Sequence, residues 1–370
     1  MNILLVGSGG YGTGYVNCLL KNTDPNIVWA GIVDPFFENC AKKDRVKAKG
    51  IPVYESLEQF YANNSADLAI ICTPIYLHRS QSIYALEHGS YVLCEKPAAA
   101  TADDVLAMKK AEDNTGRWIA IGYQWSFSQA MQELKKDILS GKLGHATKLK
   151  TAISWPRNRA YYSRGSGWGG RIYKNGELVL DSIASNACAH YLHNMLFVLG
   201  DSMSESARIT ELEGRCLRAN DIENFDTCSL KMKTEKGAEL YFAASHATEK
   251  GRDPEFVYEF KKARVTYDRN GDSLLYAFFA DGSKKCYGNP FAFDFKKLYD
   301  CIDAVQNGTI PACTVKTAYE HAALTERIFR TIPIEDFPRE KIMENLEKDG
   351  VYVQGLYEKL YEAYRNAAML

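Results

Sequence analysis

Three sets of residues in this 370-residue chain have the types and spacing to do chemistry. The first is Gly7-Ser8-Gly9-Gly10-Tyr11-Gly12, which fits G-x-G-x-x-G between an apolar run and an amphipathic stretch. Glycines so placed let backbone amides approach a pyrophosphate closely, and a helix starting there adds its own amides and dipole. Asp34 ends the second apolar run, 22 residues after Gly12. An acid there accepts hydrogen bonds from both ribose hydroxyls and repels a 2′-phosphate. The expected cofactor is therefore NAD, with NADP disfavoured, held by Gly7, Gly9, Gly10, Tyr11, Gly12 and Asp34. The second set is Cys94-Glu95-Lys96-Pro97, where Lys96 follows an apolar run and so falls at the carboxyl end of a strand. A cation beside a nicotinamide can stabilise the oxygen left when a carbinol loses hydride.

The third set lies later. Asn186, His190 and His193 fall at i, i+4 and i+7, which predicts one shared helix face. A histidine on an apolar helix face is by itself more often a core residue than a catalyst, although its ordinary pKa suits proton transfer near neutrality. His190 and His193 also have metal-ligand spacing, but no Cys, Asp or Glu completes a set, so no metal is expected. Trp155-Pro156-Arg157 ends a predicted strand and is followed by Tyr161, Tyr162, Arg164 and Trp168-Gly169-Gly170. Aromatic faces with polar tips suit the apolar face of a sugar ring, and arginine binds hydroxyls or a carboxylate. Trp155, Arg157, Tyr161, Trp168 and His193 are accordingly placed on the substrate side.

These residues need a frame. Residues 1–122 alternate short apolar runs with amphipathic stretches: Ile3–Val6 then Tyr15–Lys21, Val28–Val33 then Asn39–Lys49, Leu68–Cys72 then Ser80–His88, Tyr91–Cys94 then Ala102–Thr115, and Trp118–Ile121. Strand and helix repeated this way predict a parallel sheet covered on both faces, and right-handed crossovers make it doubly wound. From Tyr123 the strands become longer and more polar, as in Thr147–Ser154, Thr227–Lys233, Ala238–Ala244, Val257–Phe260 and Arg264–Tyr267. Period-two alternation there predicts a large, mostly antiparallel open sheet with one solvated or partner-covered face. Helices are predicted at 130–140, 187–198, 295–306 and 315–331, and a last one at 353–366 that packs back. The fold class is thus α/β: a Rossmann domain over 1–122, then an α/β domain over 123–370 for substrate binding and oligomerisation.

Composition excludes several partners. The formal net charge is −1 and the hydrophobic content 46%, with charges of both signs interspersed, so neither nucleic acid nor a membrane surface is expected. No run of about 18 apolar residues predicts a membrane span, and the start lacks a signal-peptide pattern. Ten scattered cysteines without a Cys-x-x-Cys pair read as reduced thiols, which points to the cytoplasm.

Thr73-Pro74-Ile75-Tyr76-Leu77-His78, Ala85-Leu86-Glu87-His88-Gly89 and Val92-Leu93-Cys94-Glu95-Lys96-Pro97 closely resemble the Gfo/Idh/MocA oxidoreductase family, which includes inositol dehydrogenases and glucose-fructose oxidoreductase. The resemblance covers nearly the whole chain. It implies that Lys96 stands between nicotinamide and substrate, and places Thr73, Pro74, His78, Glu95 and Gln124 on the cofactor side and Tyr123 on the substrate side. Where the family shows Asp-x-x-x-His on a helix, this chain has Asn186 and His190. An amide orients a hydroxyl but takes no proton, which leaves His190 or Lys96 as the base. Asp181, five residues upstream, is expected in an N-terminal loop or capping role, with the acid's function as a fallback.

Together these features indicate an NAD-dependent oxidation of a secondary hydroxyl on a sugar, glycoside or cyclitol, with catalytic Lys96, His190 and Asn186. Two rivals share the fold: a glycoside-cleaving enzyme working by transient oxidation and elimination, and a non-catalytic NAD-sensing regulator. The resemblance further suggests a homodimer or homotetramer.

Overall fold

Apolar runs without alternation leave neither face of a sheet for water, and in the computed structural model, which describes residues 1–370, they are buried strands of a parallel sheet. The elements are β1 (Asn2–Val6), α1 (Gly12–Lys21), β2 (Val28–Val33), α2 (Lys43–Ala48), β3 (Val53–Tyr54) and α3 (Leu57–Tyr61). They continue with β4 (Leu68–Ile71), α4 (Ile75–Glu87), β5 (Tyr91–Cys94), α5 (Ala102–Thr115) and β6 (Ile119–Ile121). The sheet order is β3-β2-β1-β4-β5-β6, so the winding reverses between β1 and β4, where doubly wound sheets take ligands at the strands' carboxyl ends. Local signals set the helix ends: Thr101 accepts from the Asp104 amide at 3.2 Å to start α5, and Gly116, at φ 68°, stops it.

After Phe127 come α6 (Gln129–Leu139), β7 (Ala146–Ser154), the short α7 (Arg159–Ser163) and a hairpin of β8 (Tyr173–Lys174) and β9 (Glu177–Leu178). A π-helical turn at Ile183–Ala187 leads into α8 (Ala189–Val198). The strands β10 (Ile209–Arg218), β11 (Thr227–Thr234), β12 (Glu239–Ser245), β13 (Arg252–Phe260), β14 (Ala263–Asp268), β15 (Leu275–Phe279) and β16 (Lys284–Gly288) follow. The chain ends with α9 (Lys296–Asn307), α10 (Val315–Thr331), β17 (Ile334–Asp336), the hairpin of β18 (Ile342–Asn345) and β19 (Gly350–Val353), and α11 (Leu356–Asn366).

Packing divides the chain differently from the texture of the sequence. One unit is Met1–Phe127 with Asp294–Tyr319, and the other is Ser128–Phe293 with Glu320–Leu370. The expected boundary at 122/123 therefore misses a returning segment. That segment binds the edge of the parallel sheet: the Ile121 amide donates to Cys313 at 2.9 Å, and Trp118 Nε1 donates to Thr309 at 3.1 Å. At the other end of the segment, the Phe295 ring stacks on Tyr11 and fills the space a Cβ on Gly14 would need.

In the second unit nine strands form one sheet in the order β16-β15-β14-β13-β7-β12-β11-β10-β17, and only β7/β12 and β10/β17 pair in parallel. The face expected to be solvated or partner-covered is covered at its centre by the chain itself. Leu360, Tyr361, Ala363 and Tyr364 of α11 pack on Ala152, Tyr241 and Ala243. The helix starts at Leu356 and not at 353, because residues through Val353 pair as β19 and Gly355, at φ 74°, turns the backbone out of the strand. Further along the same face, Glu211, Lys233, Glu239, Lys148, Glu259 and Arg264 are successive cross-strand neighbours. Their signs alternate, so each charge meets opposite charges and the row stays stable in water. No helix is long and apolar enough to cross a membrane.

Leu360 is fully buried under this arrangement. Leu360→Ala is expected to cost about 2–5 kcal/mol, seen as a lower urea midpoint at unchanged slope. A loss well under about 1 kcal/mol would show that α11 does not hold that face.

Candidate active site

The turn after β1 is shaped by what it excludes. Gly7 has φ 87°, and a Cβ there would stand 2.6 Å from the Cys72 carbonyl oxygen; one on Gly12 would stand 2.3 Å from that of Gly7. Only glycine fits either place, which lets the backbone fold tightly against the end of β4. The helix that follows, α1, has no side-chain cap and no acid in its first turn, so its amides and positive end remain to meet an anion. Asp34 is fixed beside this turn: Oδ2 accepts from the Ser8 amide at 2.8 Å and Ser8 Oγ at 2.6 Å, while Oδ1 accepts from the Phe36 amide at 2.9 Å. Tyr11 is about half exposed, and Gln124 begins a short turn after β6. Pro74 precedes the first turn of α4, and Thr73 Oγ1 donates to Gln81 at 2.6 Å.

Lys96 follows β5 on the same sheet and is half-buried, with a cis bond to Pro97. Its neighbour Glu95 lies inside the unit. Glu95 Oε1 accepts from Tyr15 Oη at 2.5 Å and from Lys297 Nζ, which also donates to the Gly122 carbonyl at 3.2 Å. Glu95 Oε2 accepts from the Lys96 amide at 3.3 Å. Burial alone would pull Lys297 down, but the Glu95 carboxylate and Tyr11 outweigh it and hold the ammonium above its ordinary pKa. Glu95 is thus an internal anchor for the backbone at Lys96, contrary to the expectation of a cofactor contact. Lys297 lies in no motif. Its one mark in the sequence is a position on the apolar face of α9 with Leu298, Cys301 and Ile302.

Two other expectations change for the same reason. His78 is buried, with Nδ1 2.8 Å from the Pro97 carbonyl oxygen and Nε2 2.9 Å from that of Thr73. Both ring nitrogens bridge the loops after β4 and β5, so the side chain ties the site's backbone together and offers no nitrogen to a ligand. Tyr123 is 1% exposed and its ring belongs to the core of its unit, not to a substrate surface.

In the second unit the predicted helix face is broken. Asn186 lies in the π-turn and His190 in the first turn of α8, so α-helical spacing does not run through Cys188. Asp181, expected off this face, meets it: Asn186 Nδ2 donates to Asp181 Oδ1 at 2.7 Å, and the Gly170 amide donates to Oδ2 at 2.5 Å. Ser182, not Asp181, caps the turn, in a reciprocal box with Ser185. His190 is half-buried, its ring 6.4 Å from that of Tyr191. His193 is fully interior, stacked on Phe197 and edge-on to His321. Burial, with His321 and Lys135 nearby, holds His193 well below the ordinary histidine pKa. It is a neutral core residue in place of the expected substrate contact.

The remaining substrate-side residues do come together. Guanidinium carbons and aromatic rings alternate: Arg157 lies 5.6 Å from the Trp155 ring and 4.6 Å from Tyr161, and Arg164 lies 3.7 Å from Tyr161 and 4.8 Å from Trp168. Trp155 is oriented by donating Nε1 to Asp253 at 2.8 Å and sits edge-on to Tyr191. His246 backs the cluster with Nδ1 2.7 Å from the Trp155 carbonyl oxygen, and burial, with Arg157 and Arg164 close by, lowers its pKa to about 3.

The model of an oxidoreductase family with an NAD-binding Rossmann fold, Gfo/Idh/MocA, matches residues 1–123. Inositol 2-dehydrogenase of Renibacterium salmoninarum is 29% identical over 153 residues, 41% of this chain and 45% of that protein. D-glucoside 3-dehydrogenase of Escherichia coli is 30% identical over 134 residues, 36% of this chain and 36% of that protein. The matched stretch therefore spans less than half the length of these relatives. Among solved structures, the WlbA dehydrogenase from Bordetella pertussis, in complex with NADH and UDP-GlcNAcA, has a TM-score of 0.72 at 21% identity, covering 90% of this chain and 96% of that one. At that identity the likeness establishes a common fold.

Removing one partner of a buried pair leaves an uncompensated charge. Lys297→Met is expected to destabilise by about 3–5 kcal/mol in chemical denaturation, and adding Glu95→Gln to recover part of the loss. Equal midpoints for wild type and the single variant would rule out the anchoring role.

Proposed function

Because residues 1–123 match the model of the Gfo/Idh/MocA oxidoreductase family with its NAD-binding Rossmann fold, we propose that the chain is an NAD-dependent dehydrogenase that oxidises a secondary hydroxyl of a sugar, glycoside or cyclitol to a ketone. One observation carries this reading: a side-chain-free cradle at Gly7 and Gly12, under an uncapped helix start, lies on the same sheet that holds Lys96 after β5. The cradle fits a dinucleotide, whose pyrophosphate would meet the amides of Gly9, Gly10, Tyr11 and Gly12 while Asp34 accepts from its ribose. NAD supplies the hydride acceptor. Inositol, D-glucosides and UDP-GlcNAcA, named for the similar proteins, are all polyhydroxylated rings, which supports the substrate class.

Lys96 is assigned the cationic role, stabilising negative charge as it develops on the carbinol oxygen. His190 takes the hydroxyl proton, since an imidazole nitrogen can accept one from a donor within hydrogen-bond reach. Asn186 orients the hydroxyl, and Asp181 sets the direction of that amide, because a carboxylate accepts only from the Nδ2 end. An acid thus stands beside position 186 and acts through the amide.

With NAD and a panel of hexoses, glycosides, inositols and sugar acids, absorbance at 340 nm is expected to rise for part of the panel. Release of aglycone without accumulating NADH would instead favour the cleaving enzyme. Lys96→Ala and His190→Ala are each expected to lower kcat/KM by about 100-fold or more while NAD still binds. Wild-type turnover in either variant would exclude its assigned role. Asp34→Ser is expected to weaken NAD by about tenfold, roughly 1.4 kcal/mol, and to narrow the preference over NADP. Unchanged affinity for both cofactors would remove Asp34 from the site.

A further inference from the structure

The cationic residues of the Trp155–Trp168 ladder are held differently from every paired arginine nearby. Arg159 pairs with Glu344 and Asp349, Arg171 with Glu223, and Arg252 with Glu255 and Asp268. Arg157 and Arg164 pair with no carboxylate. Their charge is met by ring faces: Arg157 by Trp155 and Tyr161, Arg164 by Tyr161 and Trp168. Stacking of this kind fixes the plane of a guanidinium and lowers its charge cost, but it satisfies none of the N–H groups, which donate in the plane. Arg164 Nη1 donates to the Tyr161 carbonyl, whereas Arg157 Nε is buried without an acceptor, and so is the Oη of Tyr162, next to Tyr161 in the chain. Buried donors left unpaired are costly and are tolerated where a ligand completes them.

The acids whose charge is felt at the aromatic residues of the cluster are already committed. Asp181 accepts from Gly170 and Asn186. Asp226 accepts from the amides of Ala219 and Asn220, from Asn220 Nδ2 and from Thr227 Oγ1. Asp253 holds Trp155 Nε1 and lies 3.6 Å from Arg269. The ladder therefore keeps two planar, oriented cations, and a bare hydroxyl is a weak match for them. A planar or tetrahedral oxyanion is the acceptor that two guanidinium groups bind best.

We propose that Arg157 and Arg164, braced by Trp155, Tyr161 and Trp168, read an oxyanion on the substrate, so that the ring carries a carboxylate or phosphate. The inference rests on the dehydrogenase reading for the identity of the ring, and on the ladder alone for its charge.

Titration calorimetry on the full chain with NADH would measure glucuronate, glucose 6-phosphate, inorganic phosphate and glucose. At least one anion is expected to bind about tenfold or more tighter than glucose, and to weaken as salt rises. The better of glucuronate and glucose 6-phosphate identifies the carboxylate or the phosphate. Arg157→Gln and Arg164→Gln are each expected to weaken that anion about tenfold, and Arg→Lys at the same positions to lose less. Variants are matched to wild type by circular dichroism. Glucose binding as well as every anion, or no response of any anion to the Gln variants, would overturn the proposal. The two readings fail separately: NADH formed equally from neutral and anionic sugars refutes only the charge, whereas arginine-dependent anion binding with no NADH from any sugar refutes only the redox activity.

Discussion

The buried pairing of Glu95 with Lys297 ties together most of what matters in the first unit. Glu95 stands directly before Lys96, and its carboxylate collects Tyr15 from α1, Lys297 from α9 and the Lys96 amide. One side chain thus fixes the end of β5, the flank of the glycine turn and the returning segment. Two charges out of water hold together only when each is hydrogen-bonded as well as paired, and here both are. Separating them would leave a buried charge unpaired, which, with the contacts of Phe295, Thr309 and Cys313, holds residues 294–319 in the first unit. His78 also joins the two loops, its ring lying between the carbonyls of Thr73 and Pro97.

The second unit treats its charges in two ways. Across the sheet, alternating acids and bases cancel in water and leave a stable, uncommitted surface. Around Tyr161, aromatic faces hold two arginines that no acid neutralises. The difference is between charge used to keep a surface soluble and charge kept in reserve by π-stacking. Between these regions α11 covers the apolar centre of the sheet, so the open face that an alternating pattern suggests is closed from within the chain.

Much of the fold was legible because backbone rules act locally. Unalternated apolar runs gave the parallel strands, and the glycine turn, Asp34 and Lys96 fall on one sheet, as spacing implied. The π-turn at Ile183–Ala187 was not legible, since inserting one residue into a helical turn leaves no mark in the order of side chains. It moved Asn186 off the α-helical face and onto Asp181. His193 and Tyr123 looked like site residues because polar tips on apolar segments read the same whether a ligand or the core satisfies them. Glu95 was misplaced because its true partner is 202 positions away.

Residue order alone was enough for the α/β class, the glycine turn, the acid after β2 and the lysine that follows β5, because each depends on residues within one strand–turn–helix segment. Which polar groups are spent on holding the protein together, and which are left for a ligand, became visible in the folded chain. That division depends on burial and on partners distant in the chain, and side-chain type is the same in either case.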